Sequence, residues 1–137
     1  MQMTKKILVV DDSFVMRTLI KDIISSDPEL EVVGEAGNGA DALEKTKLLE
    51  PDVMLLDIEM PAMDGIECMK RLKLLSPCKV VIISSVTQVG SPQALEARKL
   101  GAIDVISKPS GALSLDLKAK KGSDIVTITR RAAGLNA

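Results

Sequence analysis

Short apolar runs in this chain alternate with segments whose apolar residues recur every three or four positions. That alternation constrains the fold more than any other feature. "KILVV" at residues 6–10 is apolar on both faces, as a central parallel strand must be. Val15, Leu19 and Ile23 then stand four apart, as do Met16, Ile20 and Ile24, which predicts a helix over residues 14–26. Ser13 is its expected N-cap, and Asp27-Pro28 ends it. "LEVVGEA" (Leu30–Ala36) reads as a second strand, "GNG" as a turn and residues 40–49 as a second helix. Val53–Leu56 is the third strand and residues 64–75 the third helix, with Cys68, Leu72 and Leu75 on one face. Lys79–Ser84 is the fourth strand, residues 91–100 the fourth helix with Gly101 closing it, and residues 103–107 a short fifth strand.

Past Pro109 the pattern weakens. Residues 110–122 are small and polar and read as a loop or linker. A last helix is expected over residues 123–133, capped by Ser123 or Asp124 and closed by Gly134. The expected organisation is a core at residues 1–109, a linker at 110–122, and a last helix with the start of an interdomain linker at 123–137. The chain is therefore expected to be part of a longer protein. Five strands alternating with five helices predict an α/β three-layer sandwich around a parallel sheet. Right-handed crossovers follow, and sites in such sheets form beyond the carboxyl ends of the strands.

Composition removes several kinds of chemistry. The chain contains no histidine, which excludes a Ser-His-Asp or Cys-His apparatus and a histidine-ligated zinc. Phe14 is the sole aromatic, so the core must be aliphatic and there is no platform for stacking single-stranded bases. A formal charge of −1 gives no electrostatic case for nucleic acid or a membrane surface. No apolar stretch is long enough to insert into a membrane, and the N-terminus does not read as a signal peptide. The expected location is cytoplasmic, with Cys68 and Cys78 reduced.

The ends of the predicted strands carry the chemistry. The first ends in Asp11-Asp12, the third in Asp57, the fourth in Ser84-Ser85 and the fifth in Lys108. Taken singly, an Asp after a strand is usually a cap or turn former, and a Lys-Pro a loop. In a parallel sheet, however, all of these fall on one edge. Three close carboxylates repel one another unless a cation intervenes, and oxygen-only ligands with phosphate suit Mg²⁺. A carboxylate beside such an ion can serve as a nucleophile, with Lys108 neutralising the transferred phosphoryl group and Ser84 bonding one of its oxygens.

"ILVVDDS", "DVMLLDIEMPAMDG", "VVIISS" and "GAIDVISKP" together resemble the receiver domain of two-component response regulators. The resemblance covers residues 5–109 and implies a flavodoxin-like sheet of order 2-1-3-4-5. It makes Asp57 the phosphoacceptor. Asp11, Asp12, Asp57 and the main-chain carbonyl of Glu59 would hold Mg²⁺, and Lys108 would pair with the phosphoryl group. Ser84 would be the switch hydroxyl and Lys108-Pro109 a cis peptide. Ser85 stays open as the alternative hydroxyl, because the segment between Ser85 and Ser91 is about two residues longer than in the commonest receivers.

"DIEMPAMDG", "ISSVT" and "KPSGALSLDL" bring the chain nearest to the regulatory domain of chemotaxis-type protein-glutamate methylesterases. The implied partners are a sensor histidine kinase and a methylesterase output domain. Val105 stands where the family usually has a switching aromatic, and valine has little rotamer freedom. Two other readings compete. A Mg²⁺-dependent phosphohydrolase with an aspartate nucleophile would carry a second Asp two residues on, where this chain has Glu59. An unphosphorylated interaction module would have no use for the acidic set.

Overall fold

The computed structural model describes residues 4–61, 63–85, 91–107 and 114–136, the side chains of 107 and 114–121 excepted. Its elements run β1 (Lys5–Val10), α1 (Phe14–Ser25), β2 (Leu30–Ala36), α2 (Gly39–Leu49), β3 (Val53–Leu56), α3 (Gly65–Leu72), β4 (Lys79–Ser84), α4 (Pro92–Lys99), β5 (Asp104–Ser107) and α5 (Ser114–Ala132). All four strand pairings are parallel, in the order β2-β1-β3-β4-β5. The flavodoxin-like α/β architecture expected from the sequence is therefore the one adopted.

Alternation along the strands splits the interior into two layers. Leu8, Val10, Met54, Leu56, Val80 and Ile82 face one side of the sheet, where they meet Leu43 of α2, Met69 and Leu72 of α3, and Ala97 of α4. Ile7, Val9, Val53, Leu55, Val81 and Ile83 face the other, against Ile20 and Ile24 of α1 and Ile125 of α5. β1 and β3 are buried on both faces, which is why their sequences show no polar alternation. Burying each such Leu or Ile contributes about 1.5–3 kcal/mol.

The helix starts are written in the sequence. Ser13, Asn38, Asp64 and Ser91 are N-caps whose side chains accept from the backbone N–H of Met16, Asp41, Glu67 and Ala94. Gly101 follows α4 at φ +105°, and Gly134 follows α5 at +84°, both in the left-handed region that favours glycine.

The C-terminal part corrects one expectation. Residues 114–122 are helical, not a loop, so α5 begins nine residues before residue 123. Ser123 and Asp124 lie inside the helix and do not cap it. The segment's Leu, Lys and Ala are good helix formers. Gly122, which reads as a breaker, is buried where α5 lies against Ile23 of α1. Tertiary packing outweighs its poor propensity. Arg130 then ties the end of α5 to the α1–β2 turn, with Asp27 at 2.9 Å and Glu29 at 3.0 Å. Helix α3 is also shorter than expected, ending at Leu72. Leu74 and Leu75 beyond it are exposed. No helix among the described residues is long and apolar enough to cross a membrane.

Candidate functional site

Parallel pairing carries the ends of β1 and β3 to one edge, Val10 opposite Leu56. The next residues, Asp11 and Asp57, inherit that adjacency. The Asp57 N–H donates to Val10 O at 2.9 Å, and the Asp11 N–H donates to Ala36 O at 3.1 Å. Asp11 is 1% exposed and Asp57 5%, whereas Asp12 is open to solvent. One carboxylate oxygen from each of Asp11, Asp12 and Asp57 lies within 4.8 Å of the others. Two of the three are buried, so the repulsion is poorly screened by water.

The backbone beyond Asp57 is folded tightly back on itself. The Gly65 N–H donates to Ile58 O at 2.8 Å, and the Gly39 N–H to Met63 O at 3.2 Å. A Cβ on Gly65 would stand 2.4 Å from the Asp57 carbonyl oxygen. Glycine is present here for room, so that α3 can start against the strand tip. Asp64 caps that helix, which makes it a structural carboxylate in the wall of the site.

Together these elements enclose an open cleft of about 980 Å³. Its described lining holds seven carboxylates (Asp11, Asp12, Asp57, Glu59, Asp64, Glu67 and Glu96) against the single cation Lys70. Glu59 is exposed on the rim. Ser84 is fully buried as the last residue of β4, paired with Ser107, while the exposed Ser85 lines the cleft. Lys108 and the Lys108-Pro109 peptide lie outside the described residues. Hard oxygen donors this close suit a small divalent cation.

The family model of the response regulator receiver domain matches residues 7–120. The chain belongs to the response-regulator receiver family.

This receiver is 58% identical, over 82% of its length, to a protein-glutamate methylesterase/protein-glutamine glutaminase of Halalkalibacterium halodurans. It is 46% identical, over 93%, to one of Pyrococcus horikoshii. It spans about a third of the length of these relatives, 33% and 34%. In structure it is similar to the response regulator domain of Thermotoga maritima CheB, with a TM-score of 0.90, 40% identity, and coverage of 98% and 99% of the two chains. It is likewise similar to a chain in the complex of the CheA3 P1 domain with CheY6 from R. sphaeroides, at a TM-score of 0.77, 38% identity, and coverage of 96% and 98%.

Within the receiver fold, Val105 is half-buried and packs on the α2–α3–α4 side of the sheet. Cys68 and Cys78 are free thiols. Burial pushes Cys68 up to about 11 and Cys78 to about 12, helped by nearby Asp64 and Asp52 respectively. Both shifts favour the protonated thiol near neutral pH. The sequence reading missed the group that holds the β1–α1 loop: the Arg17 guanidinium donates to Asp11 O at 2.6 Å and to Glu35 at 2.8 Å. An arginine one turn into a helix carries no signal that it will turn back to the preceding strand.

Proposed function

We propose that Asp57 is the phosphoacceptor of a phosphorylation-activated switch. The observation that carries this reading is the gathering of Asp11, Asp12 and Asp57 within 4.8 Å at the tips of the two central strands. Asp11, Asp12, Asp57 and the main-chain carbonyl of Glu59 would hold Mg²⁺. When bound, that ion supplies positive charge against the oxygens of the transferring phosphoryl group.

An Asp57 carboxylate oxygen attacks phosphorus in line. The bond from phosphorus to the donor atom breaks, and its electron pair leaves with the donor. β3 presents the nucleophile on rigid backbone, which holds it in an attacking geometry. Lys108 pairs with the new phosphoryl group, and the hydroxyl of Ser84, or of Ser85 in its place, bonds one oxygen. Residues around α4 and β5 then shift population, and the output domain responds. Water attack on phosphorus beside Glu59 returns the carboxylate and resets the switch.

The donor is a sensor histidine kinase, and the output domain a protein-glutamate methylesterase in the same polypeptide. The names of the relatives support the second assignment, and the P1-domain complex of a similar receiver supports the first. The chain itself turns over nothing beyond its own phosphoryl group. Its location is the cytoplasm, where both thiols stay reduced.

Incubation with a small acyl phosphate and Mg²⁺ tests the reading by mass. One added phosphoryl group is expected, absent in Asp57→Asn and absent with chelator. Equal labelling of Asp57→Asn would overturn the assignment.

A further inference from the structure

We infer that Arg17 is a positioning residue for the acidic site. It sets the geometry of the Asp11–Asp12 pair through the backbone carbonyl between them. This rests on the reading of that site as a divalent-cation and phosphoryl centre.

The peptide group joining Asp11 to Asp12 is the covalent link between two of the three converging carboxylates. Its plane fixes ψ of Asp11 and φ of Asp12, and hence where both side chains point. On the side-chain end, Asp11 Oδ1 accepts from the Ser13 N–H at 2.9 Å. The peptide carbonyl itself accepts from Arg17 Nη1 at 2.6 Å. A guanidinium can do this while its Nε bonds elsewhere, because its donors form a rigid planar fork. Here Nε donates to Glu35 Oε1 at 2.8 Å. Lys21 holds the other oxygen of the same carboxylate. The Phe14 ring lies 5.8 Å from the guanidinium carbon. The Arg17 side chain is only 16% exposed. It thus ties the first turn of α1, the edge strand β2 and the tip of β1 into one unit around the loop that carries the ligands.

Charge alone argues for the opposite effect. A guanidinium near a cation site repels the cation, so simple removal of its charge would strengthen cation binding. A positioning role requires weakening. The sign therefore separates the two, and a merely structural role would move neither.

The test is Mg²⁺ affinity of the 137-residue chain, read from amide NMR shifts. The same spectra report whether each variant is folded. Arg17→Ala is expected to bind Mg²⁺ about tenfold more weakly, the low end for loss of a group supporting metal ligands. Arg17→Lys keeps the charge but has one nitrogen where the fork has three, so it cannot span Glu35 and the Asp11 carbonyl. It should recover only part of the loss. Glu35→Gln keeps Arg17 but weakens its anchor, and should give a smaller loss than Arg17→Ala. Unchanged or tighter Mg²⁺ binding in folded Arg17→Ala overturns the proposal. Should Arg17→Ala fail to fold, wild-type affinity in both Arg17→Lys and Glu35→Gln overturns it instead. A wild-type chain showing no Mg²⁺ shifts at Asp11, Asp12 and Asp57 brings down the reading of the site itself. Binding by wild type and Arg17→Ala alike removes Arg17 alone.

Discussion

Replacing Gly65 by alanine adds one methyl group at the point where α3 begins against the strand tip. An ideal Cβ there lies 2.4 Å from Asp57 O, 2.8 Å from Ile58 Cα and 3.1 Å from Asp57 C. All three contacts are main chain, so no side-chain rotation relieves them. Bringing the shortest to a tolerable 3.0 Å takes a backbone shift of about 0.6 Å. Overpacking of this kind costs about 1–3 kcal/mol, and immobile backbone neighbours place it in the upper half. Alanine's better helix propensity returns at most about 1 kcal/mol, and less at a first helical position. The net loss is about 2 kcal/mol, or roughly 30-fold in the folding equilibrium. For a domain of this size that lowers Tm by roughly 5–10 °C. Because the displaced atoms belong to Asp57, the site should suffer more than the fold. A misplacement approaching 1 Å can cost about a hundredfold in rate, so phosphorylation by a small acyl phosphate should slow by at least roughly tenfold. Urea and thermal unfolding measure the first effect, and timed mass spectra under saturating donor and Mg²⁺ measure the second. A Gly65→Ala chain with a Tm within about 2 °C of wild type and an unchanged rate would refute the steric argument.

Asp57→Asn removes one of three crowded charges and should raise Tm in metal-free buffer, while gaining less than wild type on adding Mg²⁺; a lower metal-free Tm would contradict the repulsion argument. Glu35 is held below the usual carboxylate range by its hydrogen bonds from Lys21 and then Arg17. Burial, which raises Asp27, is outweighed by bonds from the Glu29 N–H and Arg130, so Asp27 is also lowered. Both therefore contribute stability that is complete above the unfolded carboxylate pKa, about 4, and is lost as pH falls through the lower folded values. Urea midpoints should fall less steeply on acidification in Glu35→Gln and Asp27→Asn than in wild type, and parallel curves would show no such linkage. With the Cys68 and Cys78 thiols raised to about 11 and about 12, alkylation by iodoacetamide at pH 8 should be slow in the folded chain and fast in urea. Rapid labelling of the folded protein at Cys78 would count against that.

The legible parts of the molecule were those set by local rules. β2, β3 and β4 span Leu30–Ala36, Val53–Leu56 and Lys79–Ser84, as their branched apolar runs indicate. Ser13 caps where its position before an apolar period places it. The carboxylate cluster was legible because parallel topology brings two strand ends, after Val10 and after Leu56, to one place. What escaped was set by distant contacts. Helix α5 continues through Gly122 because α1 packs against it, a fact invisible from residues 110–122 alone. Gly39 reads as a turn glycine and Gly65 as part of the third helix, yet each is needed because another backbone passes within 3 Å of where a side chain would be. The approach of Arg17 to the Asp11 carbonyl depends on Glu35, eighteen residues on in an edge strand.

The 2.9 Å bond from the Asp57 amide to Val10 makes the nucleophile's own residue a rung of the central strand pair. Local fraying cannot loosen that residue without unzipping the middle of the molecule. Its amide deuterium should thus be among the last to wash out, at a pace set by global opening. The loop bearing Asp12 is held instead by a side chain, Arg17 on the Asp11 carbonyl, and not by a rung of the strand ladder, so adjustment to an incoming ion falls to that side, while the acceptor stays still.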